Sequence, residues 1–556
     1  MEQFSAEIEG PVTNEEAHEF GALNTLLLVV VLGCCILSGY LIKSHQFYYL
    51  PESAAVMLVG VAVGGLAKIF YPTKSEMDFL SFKPEMFFFL LLPPIIFEAG
   101  YTLRKKHFFS NFGTIMFFAV LGTMLSTFLV GSLTFMLGKM NLVNIDSKNP
   151  LEALIFGALI SAVDPVATLS IMGSPEINCD PLLYSLVFGE SVLNDAVAIV
   201  LFKTFQEFYT RDEPFTQATI PLIVGNFIGI SLGSVMVGVL IGLGCSYFCK
   251  HSTIRDYPKY EIALLFLFAY GSYAFAESIE LSGIMALFFC GIVLSHYNSY
   301  NLSQASQITA EYIFASLGHI AEYFVFLYMG MGFFTGRYVE WNLMFSVATI
   351  IFCLFARAAN IFPFSFIANM GRSRKVSRKM QIVMWFAGLR GAIAYALSTN
   401  MPGSHQELYT TTTLSVVIFT TVFCGGLTEP MLSRMDMKMQ VVQDPQLPYE
   451  CLEGDELSET QDLETLIRNE RSTSGDYNGE HWTSAHLRRQ TSNLQRGIHA
   501  YWKQFDTRFM KPLFGGSMND QDYFDGDFNE AEMISQNRRK MKDEPPENYR
   551  PPHSDD

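Results

Sequence analysis

An all-α polytopic membrane protein with about 13 transmembrane helices is what this sequence predicts, and three observations carry the prediction. The 556 residues are 50% hydrophobic and only 16% charged. The apolar residues come in blocks instead of following a regular period, and about 20 mainly apolar residues are what one helix needs to cross a hydrocarbon core. Ionisable residues inside the blocks are few, and because a charge near the bilayer centre costs at least ~2.5–3.5 kcal/mol, each marks a candidate for function.

The blocks run from Leu23 to Leu432, at 23–43, 51–70, 86–101, 112–138, 152–172, 182–209, 222–249, 259–277, 282–297, 308–335, 341–366, 380–400 and 407–432. The first follows a leader, residues 1–22, that holds Glu2, Glu7, Glu9, Glu15, Glu16 and Glu19 but no Lys or Arg. That is the wrong charge for the start of a signal peptide, so the block is expected to remain as a membrane helix. Lys and Arg gather after odd-numbered blocks, as in Lys43, Arg104–Lys105–Lys106, Lys250–Arg255–Lys259 and Arg372–Arg374–Lys375–Arg378–Lys379. Cytosolic loops are enriched in these residues, which places the N-terminus in the lumen or outside the cell and the C-terminus in the cytosol. Nine cysteines, most within apolar blocks, read as small buried hydrophobes without a disulfide framework.

Within the blocks the ionisable candidates are Glu98, Asp164, Glu190, Asp195, Glu277, Glu322, Arg357 and Arg390. The fifth block reads "LIFGALISAVDPVATLSIM", where Pro165 lacks an N–H and disfavours helical geometry at Asp164. A break is expected there, exposing the carbonyls of Ala162 and Val163, which with the side chains of Asp164 and Thr168 would supply oxygen ligands. In the sixth block, "FGESVLNDAVAIVLF", Glu190 and Asn194 are four residues apart, as are Ser191 and Asp195. The two pairs form neighbouring stripes on one side of a helix, where Asn194 is expected to join Ser191 and Asp195 as an ion-binding residue. The twelfth block is interrupted by Gly388, Arg390 and Gly391 in "FAGLRGAIAYAL". Blocks five and twelve are equivalent if blocks 1–6 and 8–13 form two halves of opposite orientation, the inverted repeat of secondary transporters with its paired broken helices. An Asp-Pro kink or an intramembrane Arg–Glu pair alone is often structural. A broken helix carrying Asp164, a face carrying Ser191 and Asp195, and Arg390 available to neutralise Glu190 point together to an ion site.

After about Asp436 the composition turns acidic and polar, too poor in aliphatic runs to offset the entropy of ordering. Residues 433–556 are expected to form a largely disordered tail, with "HAYWKQFDTRFMKPLF" (499–514) a candidate helix. This tail and the leader hold much of the net charge of −17, which therefore says little about partners.

Four motifs, "FLLLPPIIFEAGY" (89–101), "LISAVDPVATLSI" (159–171), "FGESVLNDAVAIVL" (188–201) and "GLRGAIAYAL" (388–397), resemble the cation/proton antiporters of the sodium/proton exchanger family, and specifically its organellar (Golgi, endosomal and prevacuolar) branch. The segment "FDTRFMKPLFGG" is similar to the tail of that branch. The resemblance spans residues 23–432 and implies a moving core domain beside a dimerisation domain, and hence a homodimer in membrane lipid. It implies that Asp195 binds the transported ion, that Asp164 and Ser191 assist, and that Glu190 and Arg390 form a structural ion pair. Val163 departs from the pattern, since many relatives have threonine there.

The expected activity is exchange of Na+, K+ or Li+ for H+, one for one and electroneutral, because Asn194 stands where electrogenic antiporters carry a second aspartate. No enzyme activity and no cofactor is expected. No phosphate-binding glycine loop appears in the membrane part, which argues against ATP drive. An intramembrane aspartyl protease would need two aspartates sharing a proton, and its Gly-x-Gly-Asp signature is missing from the blocks. A cation channel would not need a site that alternates between sides. No nucleic acid partner is expected, while the tail is available to cytosolic regulatory proteins.

Overall fold

The computed structural model describes residues 14–45, 47, 50–70, 84–103, 105–146, 149–164, 172, 179–211, 219–335, 341–372, 374–435 and 505–515. Every one of the thirteen apolar blocks contributes a helix. In chain order these are α1 (Asn14–His45), α2 (Glu52–Phe70), α3 (84–101), a short α4 (Lys105–Ser110), α5 (112–139), α6 (Leu151–Ser161), α7 (Pro181–Thr210) and α8 (Thr219–His251). There follow α9 (Pro258–Ser278), α10 (283–298), α11 (Gln304–Thr335), α12 (Leu343–Gly371), α13 (Arg378–Phe386), α14 (Ala392–Ser398) and α15 (406–434). Eight of the helices are long and apolar enough to cross a membrane by themselves. The chain divides into two compact units, Met1–Met439 and Gln440–Asp556. In the second the described part is a short helix, Asp506–Met510 continued by Lys511–Phe514. The rest of the expected tail, including 499–504 of the candidate helix, lies outside the described residues.

Local chemistry explains where helices start. Asp180 opens α7 by accepting from Leu182 N–H at 2.8 Å, with Pro181 in the first turn, where its missing N–H costs nothing. Asn342 caps α12 through Phe345 N–H at 3.1 Å, and Ser377 caps α13 through Met380 N–H at 3.2 Å. Helix α1 begins at Asn14, inside the acidic leader, because a helix needs no apolar face until it meets lipid or protein.

Burial sorts the helices by depth. The apolar window of α7 is buried throughout, whereas those of α1 and α8 are 11% and 22% buried and turn most of their surface outward. Close packing of α2 on α11 depends on small residues: Gly60 and Gly64 lie against Leu327, Gly330 and Met331, and a methyl group on Gly64 would come within 2.8 Å of the Met331 carbonyl oxygen. Without a hydrophobic drive between helices in lipid, backbone approach of this kind supplies the packing energy.

One helix ends and another is interrupted, and the two non-helical stretches meet. Helix α6 stops at Ser161, three residues before Asp164, and Ala162 is extended (φ −59°, ψ 130°). Helix α13 stops at Phe386, and α14 restarts only after Gly391. The two non-helical stretches touch where Asp164 N–H donates to Leu389 O at 2.9 Å. Thr168, expected as a ligand, lies outside the described residues.

Candidate functional site

A broken helix leaves carbonyls without partners, and in an apolar interior those must be satisfied. Two arginines do this, one for each break. Arg390 donates from Nη1 to Ser161 O at 2.8 Å and to Ala162 O at 3.0 Å, capping the C-terminal end of α6. Arg357 of α12 donates from Nη2 to Met384 O at 3.0 Å, in the last turn of α13. Both are cations at the negative end of a helix dipole.

The ion pair expected between Glu190 and Arg390 is a different pair. Glu190 binds the Arg357 guanidinium through both oxygens, Oε1 to Nη1 and Oε2 to Nη2, the latter at 3.1 Å. Both side chains are almost fully buried. The physical reason is that Arg390 is drawn to the orphan carbonyls of α6, which leaves Glu190 to the second intramembrane arginine.

Asn194 holds the break open. Its Oδ1 accepts from Val163 N–H at 2.9 Å and its Nδ2 donates to Thr123 Oγ1 of α5 at 2.6 Å, while Thr123 donates onward to Ala119 O. The carboxamide thus ties α7, the extended stretch after α6 and α5 together. Replacing Asn194 by alanine would remove the acceptor 2.9 Å from the buried Val163 N–H and the partner of Thr123. The expected cost is about 1–3 kcal/mol, read as a lower melting temperature of the detergent-solubilised protein.

Asp164 and Asp195 line one cavity of about 60 Å³, walled also by Ala162, Val192, Gly391 and, from α11, Glu322. Since a water needs roughly 10–15 Å³ measured in this way, a few waters or a partly hydrated ion would fit. Asp195 is 3% exposed and Asp164 9%. Gly391 is required by this proximity, because a methyl group there would fall onto the Asp164 carboxylate. Ser191 is buried one turn before Asp195. Among the described residues the cavity wall does not include Ser191, Asn194 or Val163. Glu322 reaches the cavity although the sequence marks it only as one more intramembrane acid; its sole signal is a carboxylate inside an apolar run.

Two non-helical stretches meeting beside buried carboxylates, in a bundle of membrane-length helices, are the arrangement of secondary transporters. Comparison with known proteins narrows it. Residues 30–434 match the family model described as "Sodium/hydrogen exchanger, transmembrane". The chain is similar to sodium/hydrogen exchanger 8 of Homo sapiens, 36% identical over 524 residues that cover 92% of this chain and 86% of that protein. It is likewise similar to sodium/hydrogen exchanger 1 of Oryza sativa subsp. japonica, 35% identical over 546 residues, 93% of this chain and 96% of that protein. Its fold resembles that of the sodium proton antiporter MjNhaP1 from Methanocaldococcus jannaschii at pH 8, with a TM-score of 0.52 and 18% identity over 76% of this chain and all of that one. The chain belongs to the sodium/hydrogen exchanger family, a family of transporters and not of enzymes.

Proposed function

We propose that this protein exchanges Na+ or K+ for H+ across an organelle membrane, one for one, with Asp195 as the shared site. The observation that carries the reading is the placement of the buried Asp195 and Asp164 on one cavity beside the non-helical stretches. A hard monovalent cation is suited by carboxylate oxygens, and the proton competes for the same oxygen atoms. If the core moves readily when either ligand neutralises Asp195 and not when the carboxylate is bare, each direction of travel carries one ion and exchange follows. The enclosure of Asp195 favours alternating access over an open pore. Asn194 adds no charge and its amide is already engaged, which supports electroneutral transport.

The same reading places the protein in a Golgi, endosomal or prevacuolar membrane as a homodimer, with residues 1–22 in the lumen, 23–432 as the antiporter domain and 433–556 as a cytosolic regulatory tail. It rests on the resemblance to organellar exchangers and on the distribution of Lys and Arg. The test is a proteoliposome assay with a pH dye inside the vesicles. Adding Na+ or K+ outside is expected to alkalinise the lumen, at a rate that saturates with cation and is unchanged by clamping the membrane potential. A rate that follows the clamped potential would reject electroneutrality, and conduction that needs no counter-transported proton would indicate a channel.

A further inference from the structure

A proton bound for Asp195 has to pass from water to a residue that is 3% exposed. One wall residue of the cavity leads outward. Glu322 of α11 lines the cavity, and its Oε2 lies 3.7 Å from Nδ1 of His319, one turn earlier on the same helix. The other ring nitrogen, Nε2, lies 3.8 Å from Oε2 of Glu52 in the first turn of α2. Glu52 accepts the Tyr323 hydroxyl at 3.0 Å, and its Oε1 is 3.7 Å from Lys43 Nζ at the end of α1. The Tyr323 ring, 4.4 Å from the imidazole centroid, limits its rotation. Side-chain exposure along this line is 17% at Glu322, 54% at His319, 21% at Glu52 and 77% at Lys43, so the imidazole joins the buried Glu322 to the surface. Lys43 and Glu52 mark the end of the domain where α1 finishes and α2 begins, the cytosolic face by the distribution of basic residues.

We infer that His319 relays protons between the cytosolic water and the Asp195 cavity, with Glu322 as the inner and Glu52 as the outer exchange partner. The inference rests on the reading of Asp195 as the transport site. A neutral imidazole takes a proton on one nitrogen while releasing one from the other, and here each nitrogen faces a different carboxylate. Histidine is the side chain whose ordinary pKa, about 6.5, lets it do so near cytosolic pH, and chains of Asp, Glu and His serve as proton relays in membrane transporters. Separations of 3.7 and 3.8 Å are too long for direct hydrogen bonds and are closed by a small rotation or one bridging water. The other charged groups around the imidazole are Lys43, beyond Glu52, and Glu98 of α3, whose carboxylate packs against Gly318. A brace holding α1, α2 and α11 together would show the same distances, so the test must separate transfer from bracing.

The full-length protein is reconstituted in weakly buffered proteoliposomes and cation-driven proton flux is followed across a range of external pH. His319→Ala is expected to slow exchange by about tenfold, a modest share of what a positioned acid–base group contributes, with the apparent cation affinity unchanged. Added imidazole should restore the rate, because the truncated site is half exposed and has room for the missing ring. His319→Gln, which fills that space without titrating, should be equally slow and not rescued. A parental rate and pH profile for His319→Ala, or a loss that imidazole does not restore, would overturn the relay. Asp195→Asn is measured alongside and should be inactive with or without imidazole. Exchange by that variant would remove the transport-site reading and the relay with it, whereas an inactive Asp195→Asn beside a parental His319→Ala removes the relay alone.

Discussion

Exchange by the Asp195→Asn variant is expected to fall to the leak of protein-free vesicles, with the protein still folded. Asparagine keeps the shape of the side chain on α7 and so leaves the packing of a helix that is buried along its apolar window. It removes the negative charge, and with it both the ability to hold a cation and the ability to bind and release a proton. A neutral amide also frees the core from needing any ligand to cross the barrier, so whatever motion remains is uncoupled and moves no ion. Because a charge buried in the membrane domain is costly, its removal should leave the melting temperature unchanged or slightly raised. The measurement is dye-reported pH change on addition of Na+, K+ or Li+, together with a monodisperse elution profile in detergent. Parental exchange by a monodisperse Asp195→Asn protein would sink the assignment of the site. Asp164 shares the cavity, yet its backbone is bound to Leu389 and its carboxylate sits against Gly391. Asp164→Asn should therefore raise the cation concentration needed for half-maximal exchange more than it lowers the maximal rate.

The parts of this molecule that follow from local chemistry are legible in the sequence. Thirteen apolar blocks form helices because in lipid the backbone must satisfy its own hydrogen bonds, and length and composition suffice to show where. The end of α6 and the gap between α13 and α14 are legible for the same reason: Pro165, soon after the one, and Gly388 with Gly391, in the other, are residues that a continuous helix does not favour. Partner choice is not legible. Glu190 needs a cation, and Arg357 and Arg390 are each single arginines in distant apolar runs, so spacing does not choose between them. The choice is made by the carbonyls at the ends of α6 and α13, which exist as acceptors only once both helices have stopped. Asn194 is ambiguous for a similar reason. As a sequence feature it is an oxygen ligand next to Asp195, but the break in α6 exposes an N–H at Val163 as well as carbonyls, and the carboxamide answers the N–H. Glu322 enters the cavity from α11, a helix whose pattern alone says nothing about which block it will face.

The largest stability effect should come from breaking the Glu190–Arg357 pair, and a mutant cycle can tell it from a pairing of Glu190 with Arg390. The two side chains are 1% and 4% exposed, so removing either leaves a buried charge with no counter-charge. Arg357→Ala or Glu190→Ala is expected to cost on the order of 3–5 kcal/mol, seen as a large drop in melting temperature and in yield of monodisperse protein. Replacing both by apolar residues of similar volume, Glu190→Leu with Arg357→Met, should recover much of that loss, because the desolvation cost of two ions disappears together with their attraction. What is not recovered is the bond from Arg357 to Met384 O, so the end of α13 should remain weakened. Arg390→Ala should also destabilise, through the carbonyls of Ser161 and Ala162, but its effect should add to that of Glu190→Ala within about 0.5 kcal/mol, as for residues with no direct contact. Strong coupling of Glu190 to Arg390 and none to Arg357 would mean that the helix ends are capped the other way round. The two arginines would then exchange roles, and the crossing that places Asp164 beside Asp195 would need another explanation.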